Sequence, residues 1–226
     1  MLAIIKKEVK SYFLSPIGYV FIGLFLLMAS IFFYLDIITS GLSNFEYIFY
    51  SLATVLTFIT PILTMRMFAE EKKEGTDQLL FTSPRSITSI VLGKFFSAVI
   101  ILLISELVTF LYFGILMFFG APRIIPALVA LFGFLLLGMA YISFGMFASS
   151  ITENQIIAAI VTIGFFILTW FMPQLVPILK PFSLINLFTK FPSGIIAFDE
   201  IITFVSFTLL FIILTILVLQ RRKSVK

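Results

Sequence analysis

The feature that most constrains this chain is a succession of long apolar runs separated by short polar segments. An α-helix rises about 1.5 Å per residue, so some twenty apolar residues cross a hydrocarbon core about 30 Å thick. Of the 226 residues, 61% are apolar, thirty are Phe and only 12% are charged. Such a composition cannot cover a water-facing surface with polar groups. The sequence therefore predicts an integral membrane protein.

The apolar runs predict an all-α fold with six transmembrane helices in a single domain that covers residues 1–226. The third run, residues 87–119, is too long for one perpendicular crossing, so its first two turns are expected to stand in the cytoplasm. Pro61 is expected to kink the second helix. The predicted spans are residues 17–38, 48–68, 95–119, 126–149, 155–172 and 201–219.

Residues 1–16 have a different pattern, with apolar side chains at helical spacing and Lys6, Lys7, Glu8 and Lys10 between them. This pattern predicts an amphipathic helix on the membrane surface. A signal peptide is the competing interpretation. However, the following apolar run exceeds a typical signal core, and no small-x-small cleavage site clearly follows it. We therefore interpret this run as a membrane anchor.

Residues 173–200 also depart from the spanning pattern. Pro173, Pro177, Pro181 and Pro192 divide this segment into pieces too short to cross the membrane. The segment is predicted to form short external helices. In the preceding run, Gly133, Gly138 and Gly145 and the serines 143, 149 and 150 predict close helix packing.

The basic residues are distributed unequally between the two sides that alternating spans create. Only Arg123, Lys180 and Lys190 fall on one side. By the positive-inside rule the opposite side is the cytoplasm, and both termini lie there. Membrane orientation explains the net charge of +4, so nucleic acid is not an expected partner. The twelve residues on the cytoplasmic side are Lys6, Lys7, Lys10, Arg66, Lys72, Lys73, Arg85, Lys94, Arg221, Arg222, Lys223 and Lys226.

The chain has neither Cys nor His. Disulfides, thiol nucleophiles, imidazole bases and the usual zinc ligands are thereby excluded, and no catalytic or metal-binding residues are predicted. The Gly93-Lys94 pair is followed by Phe95 and lacks the earlier glycine of a phosphate-binding loop. We therefore expect this chain to bind no cofactor.

One substantial polar stretch, residues 69–78, lies between the second and third runs. Gly75 is suited to ending a helix, and Asp77 suits the positive start of a following short helix. Residues 69–86 are therefore predicted to place a small helix across the cytoplasmic helix ends. The alternative is an ordinary solvated loop.

Several motifs resemble those of type 2 ABC exporter permeases: MFAEEKKEGT at 67–76, Leu79-Leu80, TSP at 82–84 and LGK at 92–94. The opening segment, with SYFLSP at 11–16, and FASSITENQ at 147–155 are similar to the gliding-motility branch of these permeases. Together the matching segments extend over nearly the whole chain.

The resemblance implies a six-helix permease with an amphipathic elbow, a cytoplasmic coupling helix and external re-entrant helices. It also implies a permease dimer, with an identical or paralogous second copy, in a bacterial or archaeal inner membrane. Two ABC ATPase subunits would bind ATP and Mg on behalf of the complex. The residues implied at or near the ATPase-facing elbow are Glu70, Glu71, Gly75, Thr76, Leu79 and Leu80.

Glu106 lies near the middle of the third span, where an ionised carboxylate costs several kcal/mol unless it is paired, hydrated or protonated. One hypothesis places Glu106 on the translocation path or at the permease dimer interface. The other is a protonated carboxyl hydrogen-bonded to a neighbouring helix. The sequence leaves both open.

Two other functions are alternatives to an ATP-driven exporter. A single-chain proton-linked secondary transporter or channel fits six spans and one buried carboxylate. An intramembrane hydrolase is disfavoured by the lack of His, Cys and a second intramembrane carboxylate. The nature of the cargo is not encoded in any recognisable motif.

Overall fold

The computed structural model describes residues 1–39, 44–76, 85–119, 122–175 and 183–225. Every secondary-structure element in these ranges is a helix, which confirms the predicted all-α class. A π-helical turn, Phe33–Ile38, extends the second helix. The α-helices are α1 Leu2–Leu14, α2 Pro16–Phe32, α3 Glu46–Thr64, α4 Ala69–Lys73, α5 Ile87–Phe119, α6 Ile124–Ile151, α7 Gln155–Leu175, α8 Leu184–Phe188 and α9 Phe198–Val225.

Five helical segments of the described residues are long and apolar enough to cross a membrane. Helix α7 adds a shorter apolar stretch, Gln155–Phe171, so the six predicted spans correspond to five candidate spans and this shorter helix. The five are Pro16–Leu35, Glu46–Lys73, Ile87–Phe118, Ile124–Ile151 and Phe198–Lys223.

Helix α6 is the centre of the bundle, because it packs against α3, α5, α7 and α9. Its glycines allow the neighbouring helices to approach closely, as predicted from the sequence. A Cβ atom at each would fall far inside contact distance of a facing side chain. The distances are 2.3 Å at Gly133 to Phe191, 2.1 Å at Gly138 to Leu102 and 2.3 Å at Gly145 to Thr64.

The chain bends sharply between α1 and α2. Ser15 is extended, with φ −96° and ψ 157°, and Pro16 occupies the first turn of α2, where its missing N–H costs nothing. A Cβ atom at Gly18 would lie 2.6 Å from the Tyr12 carbonyl oxygen. Glycine at position 18 therefore allows the short helix α1 to fold back closely against α2.

Both chain ends lie at the same end of the bundle. Arg222, near the end of α9, donates a hydrogen bond of 3.1 Å to the carbonyl of Ile151, the last residue of α6. Because α6 and α9 finish side by side, the end of α9 lies at the end of the bundle where α6 stops. The Tyr12 hydroxyl of α1 contacts the Leu63 carbonyl near the end of α3, which Ser149 of α6 also reaches, so α1 lies at this end too.

The opposite end of the bundle carries two ion pairs. Arg123 contacts the buried carboxylate of Glu46 at 2.9 Å, which joins the start of α6 to the start of α3. Lys190 forms an ion pair with the buried Glu200 at the start of α9. Arg123 therefore does more than mark the outer interface, because it neutralises a carboxylate that water cannot reach.

The surroundings of Gly133 in α6 and of Gly164 in α7 predict opposite effects for their substitution by alanine. In Gly133→Ala the new methyl group meets the fully buried Phe191 ring, and such overpacking costs about 1–3 kcal/mol. Gly164→Ala is the matched control, since no atom lies within 4 Å of its added Cβ and alanine favours helix. Thermal unfolding in detergent should show a lower midpoint only for Gly133→Ala. Equal midpoints for both variants would contradict the packing described here.

Candidate functional site: a polar junction at one end of the bundle

Charged side chains from α1, α4, α5 and the turn after α3 meet where α3 ends. Helix α3 stops at Thr64, a turn follows at 65–68, and α4 begins at Ala69. We call the resulting cluster the polar junction. It consists of Glu8 from α1, Arg66 from the turn, Glu70 and Glu71 from α4, and Lys94 from α5.

Four of the residues implied at the ATPase-facing elbow are described by the structure. Glu70 and Glu71 occupy the first turn of α4, and the Thr76 hydroxyl donates to the Glu71 carbonyl at 3.2 Å. Gly75 has φ +70°, a left-handed conformation that favours glycine. Leu79 and Leu80 lie outside the described residues.

The two acidic residues of α4 differ in their surroundings. Glu70 pairs with Arg66 one turn earlier at 2.8 Å, and both side chains are partly exposed. An ion pair of this kind contributes little to stability, since water screens both charges. Glu71 instead points to Lys94 of α5, at 2.8 Å. Glu70 is thus the more accessible carboxylate, and Glu71 has a structural partner.

Lys94 links three separate elements of the fold. Only 4% of the residue is exposed, although it lies just two turns from the start of α5. Its ammonium nitrogen lies 2.8 Å from Glu71 and 3.5 Å from Glu8, and 5.4 Å from the centre of the Phe68 ring. A buried cation requires such compensation. The sequence assigned Lys94 to the cytoplasmic side but did not predict either carboxylate partner.

Helix α1 lies directly on α5 beside this lysine. A Cβ atom at Gly93 would fall 2.6 Å from the side chain of Ile4, so only glycine permits this approach. The Tyr12 hydroxyl donates to the Leu63 carbonyl at 3.0 Å, one of the carbonyls that the end of α3 leaves unpaired. Burial, with the Glu8 carboxylate nearby, raises the pKa of Tyr12 above its usual range. The hydroxyl therefore stays protonated and able to donate.

Ser149 of α6 holds the turn between α3 and α4. Its hydroxyl oxygen accepts hydrogen bonds from the amides of Phe68 and Ala69, each at 3.0 Å, and donates to the Met65 carbonyl at 3.0 Å. One side chain thus satisfies three backbone groups that the helix break leaves unpaired. The sequence predicted only a packing role for Ser149, because some eighty residues separate it from these partners.

The carboxyl end of α6 receives two basic side chains. The Lys72 ammonium donates to the Ser150 carbonyl, and the Arg222 guanidinium donates to the Ile151 carbonyl. Basic groups are favourable there because the last helical carbonyls are unpaired and carry partial negative charge. Helices α4 and α9 are therefore both attached to the same end of α6.

A small polar cavity of about 140 Å³ opens within the polar junction. Binding sites for whole organic ligands usually measure about 300–1,000 Å³. The cavity therefore has room for ordered water but not for cargo. Its lining residues are Lys7, Glu8, Ser11, Tyr12, Ser15, Arg66, Met67, Glu70, Glu71 and Lys94.

Glu106 lies well away from the polar junction, near the middle of α5. The residue is fully buried, and neither carboxylate oxygen has a hydrogen-bond partner in the part of the chain that the structure describes. The hydrogen bond to a neighbouring helix that one sequence hypothesis required is therefore not found there. The carboxylate also lies inside a single copy of the chain rather than on a surface open to a second copy.

These features define a multi-pass helical membrane protein with a charged junction at the end where both termini lie. The sequence model of the ABC-2 family transporter proteins matches residues 2–223. The chain belongs to this family and is a membrane permease component of an ABC transporter. The match does not distinguish branches, so the resemblance to gliding-motility permeases stays a prediction. No curated protein is similar enough to count as a match.

The contacts of Lys94 predict that its charge stabilises the polar junction. Lys94→Met leaves Glu8 and Glu71 facing each other without their shared cation. We expect a loss of about 1–3 kcal/mol, less than for a fully buried pair because both carboxylates remain partly exposed. Denaturant unfolding measures the change, with the exposed Lys10→Met as the matched control.

A double-mutant cycle separates this interaction from lost packing. Adding Glu71→Gln to Lys94→Met removes one of the two uncompensated charges and should restore part of the lost stability. Strictly additive losses would mean that Lys94 acts only through the packing of its methylene groups.

Proposed function

We propose that this chain is the permease subunit of an ATP-driven exporter in a bacterial or archaeal inner membrane. Two permeases, either identical or paralogous, form the translocation pathway as a dimer, and separate ABC ATPase subunits bind at the cytoplasmic side. The observation that carries the proposal is the attachment of α4 to the rest of the bundle. Lys94 joins α4 to α5 and α1, and Ser149 joins the start of α4 to α6.

In this proposal ATP and Mg bind only to the partner ATPase. Gly93 and Lys94 both make contacts within the fold, because Ile4 packs on the glycine and two carboxylates form ion pairs with the lysine. The pair is therefore unsuited to holding a nucleotide phosphate. Energy from hydrolysis must then enter this chain as a mechanical displacement.

The displacement is proposed to enter at α4 and the segment that follows it. Glu70, Glu71, Gly75, Thr76, Leu79 and Leu80 form the proposed ATPase-facing elbow. Glu70 and Gly75 are the accessible members among those described, while Glu71 passes the displacement to Lys94. Movement of α4 then pulls on α5 through Lys94 and on α6 through Ser149.

Charge distribution supports the proposed orientation. Basic residues of α1, α4 and α9 gather at the end of the bundle where both termini lie, which the positive-inside rule assigns to the cytoplasm. At the other end, the charges of Arg123 and Lys190 are compensated by buried carboxylates. Lys180 lies outside the described residues.

Glu106 is proposed to line the translocation pathway. It occupies the interior of the bundle on α5, one of the two long helices that the displacement of α4 would move. The dimer-interface position is disfavoured, since a fully buried carboxylate has no surface to offer a second copy.

A proton-linked carrier remains the alternative to be tested against this proposal. Purification of the tagged chain from its native membrane should recover an ABC ATPase, and transport by vesicles containing the complex should require ATP hydrolysis. A hydrolysis-deficient ATPase is the control. Flux driven by a proton gradient through the chain alone, with no ATPase present, would favour the carrier instead.

The proposed elbow predicts that reversing the charge of Glu70 weakens ATPase binding. Glu70→Lys places a cation on the accessible face of α4 while leaving Lys94 and Glu71 in place. We expect at least a tenfold weaker affinity for the ATPase, about 1.4 kcal/mol, and less stimulation of ATP hydrolysis by the permease. Asp199→Lys, at the opposite end of the bundle, is the control. Unchanged affinity in Glu70→Lys would argue strongly against this docking surface.

A further inference from the structure

Among the described residues the carboxylate of Glu106 has no hydrogen-bond partner, and it lies far from the polar junction. Twelve residues separate it from Lys94, which at about 1.5 Å per residue amounts to roughly 18 Å along α5. Lys94 is already committed to Glu8 and Glu71. An uncompensated carboxylate at this depth costs several kcal/mol as an ion, and even the neutral acid loses its hydrogen bonds to water.

Aromatic rings lie at the same depth as Glu106. Leu102, one turn before Glu106, packs on Gly138 of α6. Only four residues separate the end of α5 from the start of α6, so the two packed helices run antiparallel and Phe134, one turn before Gly138, stands level with Glu106. The Phe134 ring contacts the rings of Phe25 and Phe49 at 5.8 and 5.4 Å between centroids.

Further rings continue this layer along α5 and α3. Phe45 lies 5.4 Å from both Phe110 and Phe113, which follow Glu106 by one and two turns of α5, and 5.6 Å from Phe49. We call this connected set the Phe cluster. Its members are Phe25, Phe45, Phe49, Phe110, Phe113 and Phe134.

A carboxylate at the same depth as a layer of aromatic rings has the chemistry that recognises an organic cation. The carboxylate supplies the opposite charge, and ring faces attract ammonium and quaternary ammonium groups, more strongly when water is excluded. The rings also supply apolar surface for the hydrophobic part of an amphipathic molecule. An anionic group would be repelled by the same carboxylate.

We propose that Glu106 and the Phe cluster form a recognition site for the cationic group of an amphipathic cargo. The inference rests on the proposed exporter function and adds to it the charge class of the substrate. The resting bundle covers the carboxylate completely, so cargo enters when α5 and α6 separate.

Tetraphenylphosphonium and tetraphenylborate provide a test, because they share a shape and differ in the sign of their charge. Binding is measured by equilibrium dialysis to the full chain in nanodiscs, with empty nanodiscs subtracted. Wild type should bind tetraphenylphosphonium and not tetraphenylborate. Glu106→Gln, which keeps the size and removes the charge, should weaken tetraphenylphosphonium binding at least tenfold. Thr109→Val, one turn away on α5, is the matched control and should bind normally.

A second variant keeps the test decisive if Glu106→Gln does not assemble. Glu106→Asp retains the negative charge on a shorter side chain and should keep measurable tetraphenylphosphonium binding. Equal binding of both probes to wild type, unchanged binding in Glu106→Gln, or no binding above empty nanodiscs would each overturn the inference. The assay contains no ATPase, so a chain that recruits its ATPase but fails here refutes only the cation site.

Discussion

A lysine that water scarcely reaches holds one end of this bundle together. The ammonium group of Lys94 is stable there only because carboxylates from two other helices and a Phe ring surround it. Each carboxylate in turn links its own helix to α5: Glu8 links α1, and Glu71 links α4. The part of the polar segment that the structure describes as α4 is thereby joined to the rest of the bundle.

The sequence predicted the features that depend on local patterns. Run length and hydropathy determine the helices, and glycine spacing in α6 predicted close packing that the facing side chains confirm. The partners of Ser149 and Lys94 escaped prediction because they depend on which helices become neighbours. The sequence of an apolar run does not show whether its serine only packs against a neighbouring helix or forms hydrogen bonds to the backbone where another helix ends. The ion pair of Arg123 was likewise not predicted, since its partner Glu46 lies 77 residues away.

The phenylalanines either face lipid or pack inside the bundle, and composition alone does not show which residues do which. Many apolar side chains face outward, as lipid requires, but the Phe cluster is enclosed and connects α2, α3, α5 and α6. Rings in edge-to-face contact pack a bundle without needing small residues at each crossing. Glu106 lies fully buried at the depth of these rings, where an ionised carboxylate needs a partner to stabilise its charge.

Helices α3 and α6 start together at Glu46 and Arg123 and are joined again where Ser149 binds the turn after α3. Two parallel helices joined near both ends are restrained from sliding past each other. A displacement of the turn after α3 would therefore act on both helices together, while α2, α5, α7 and α9 pack along the sides of this pair.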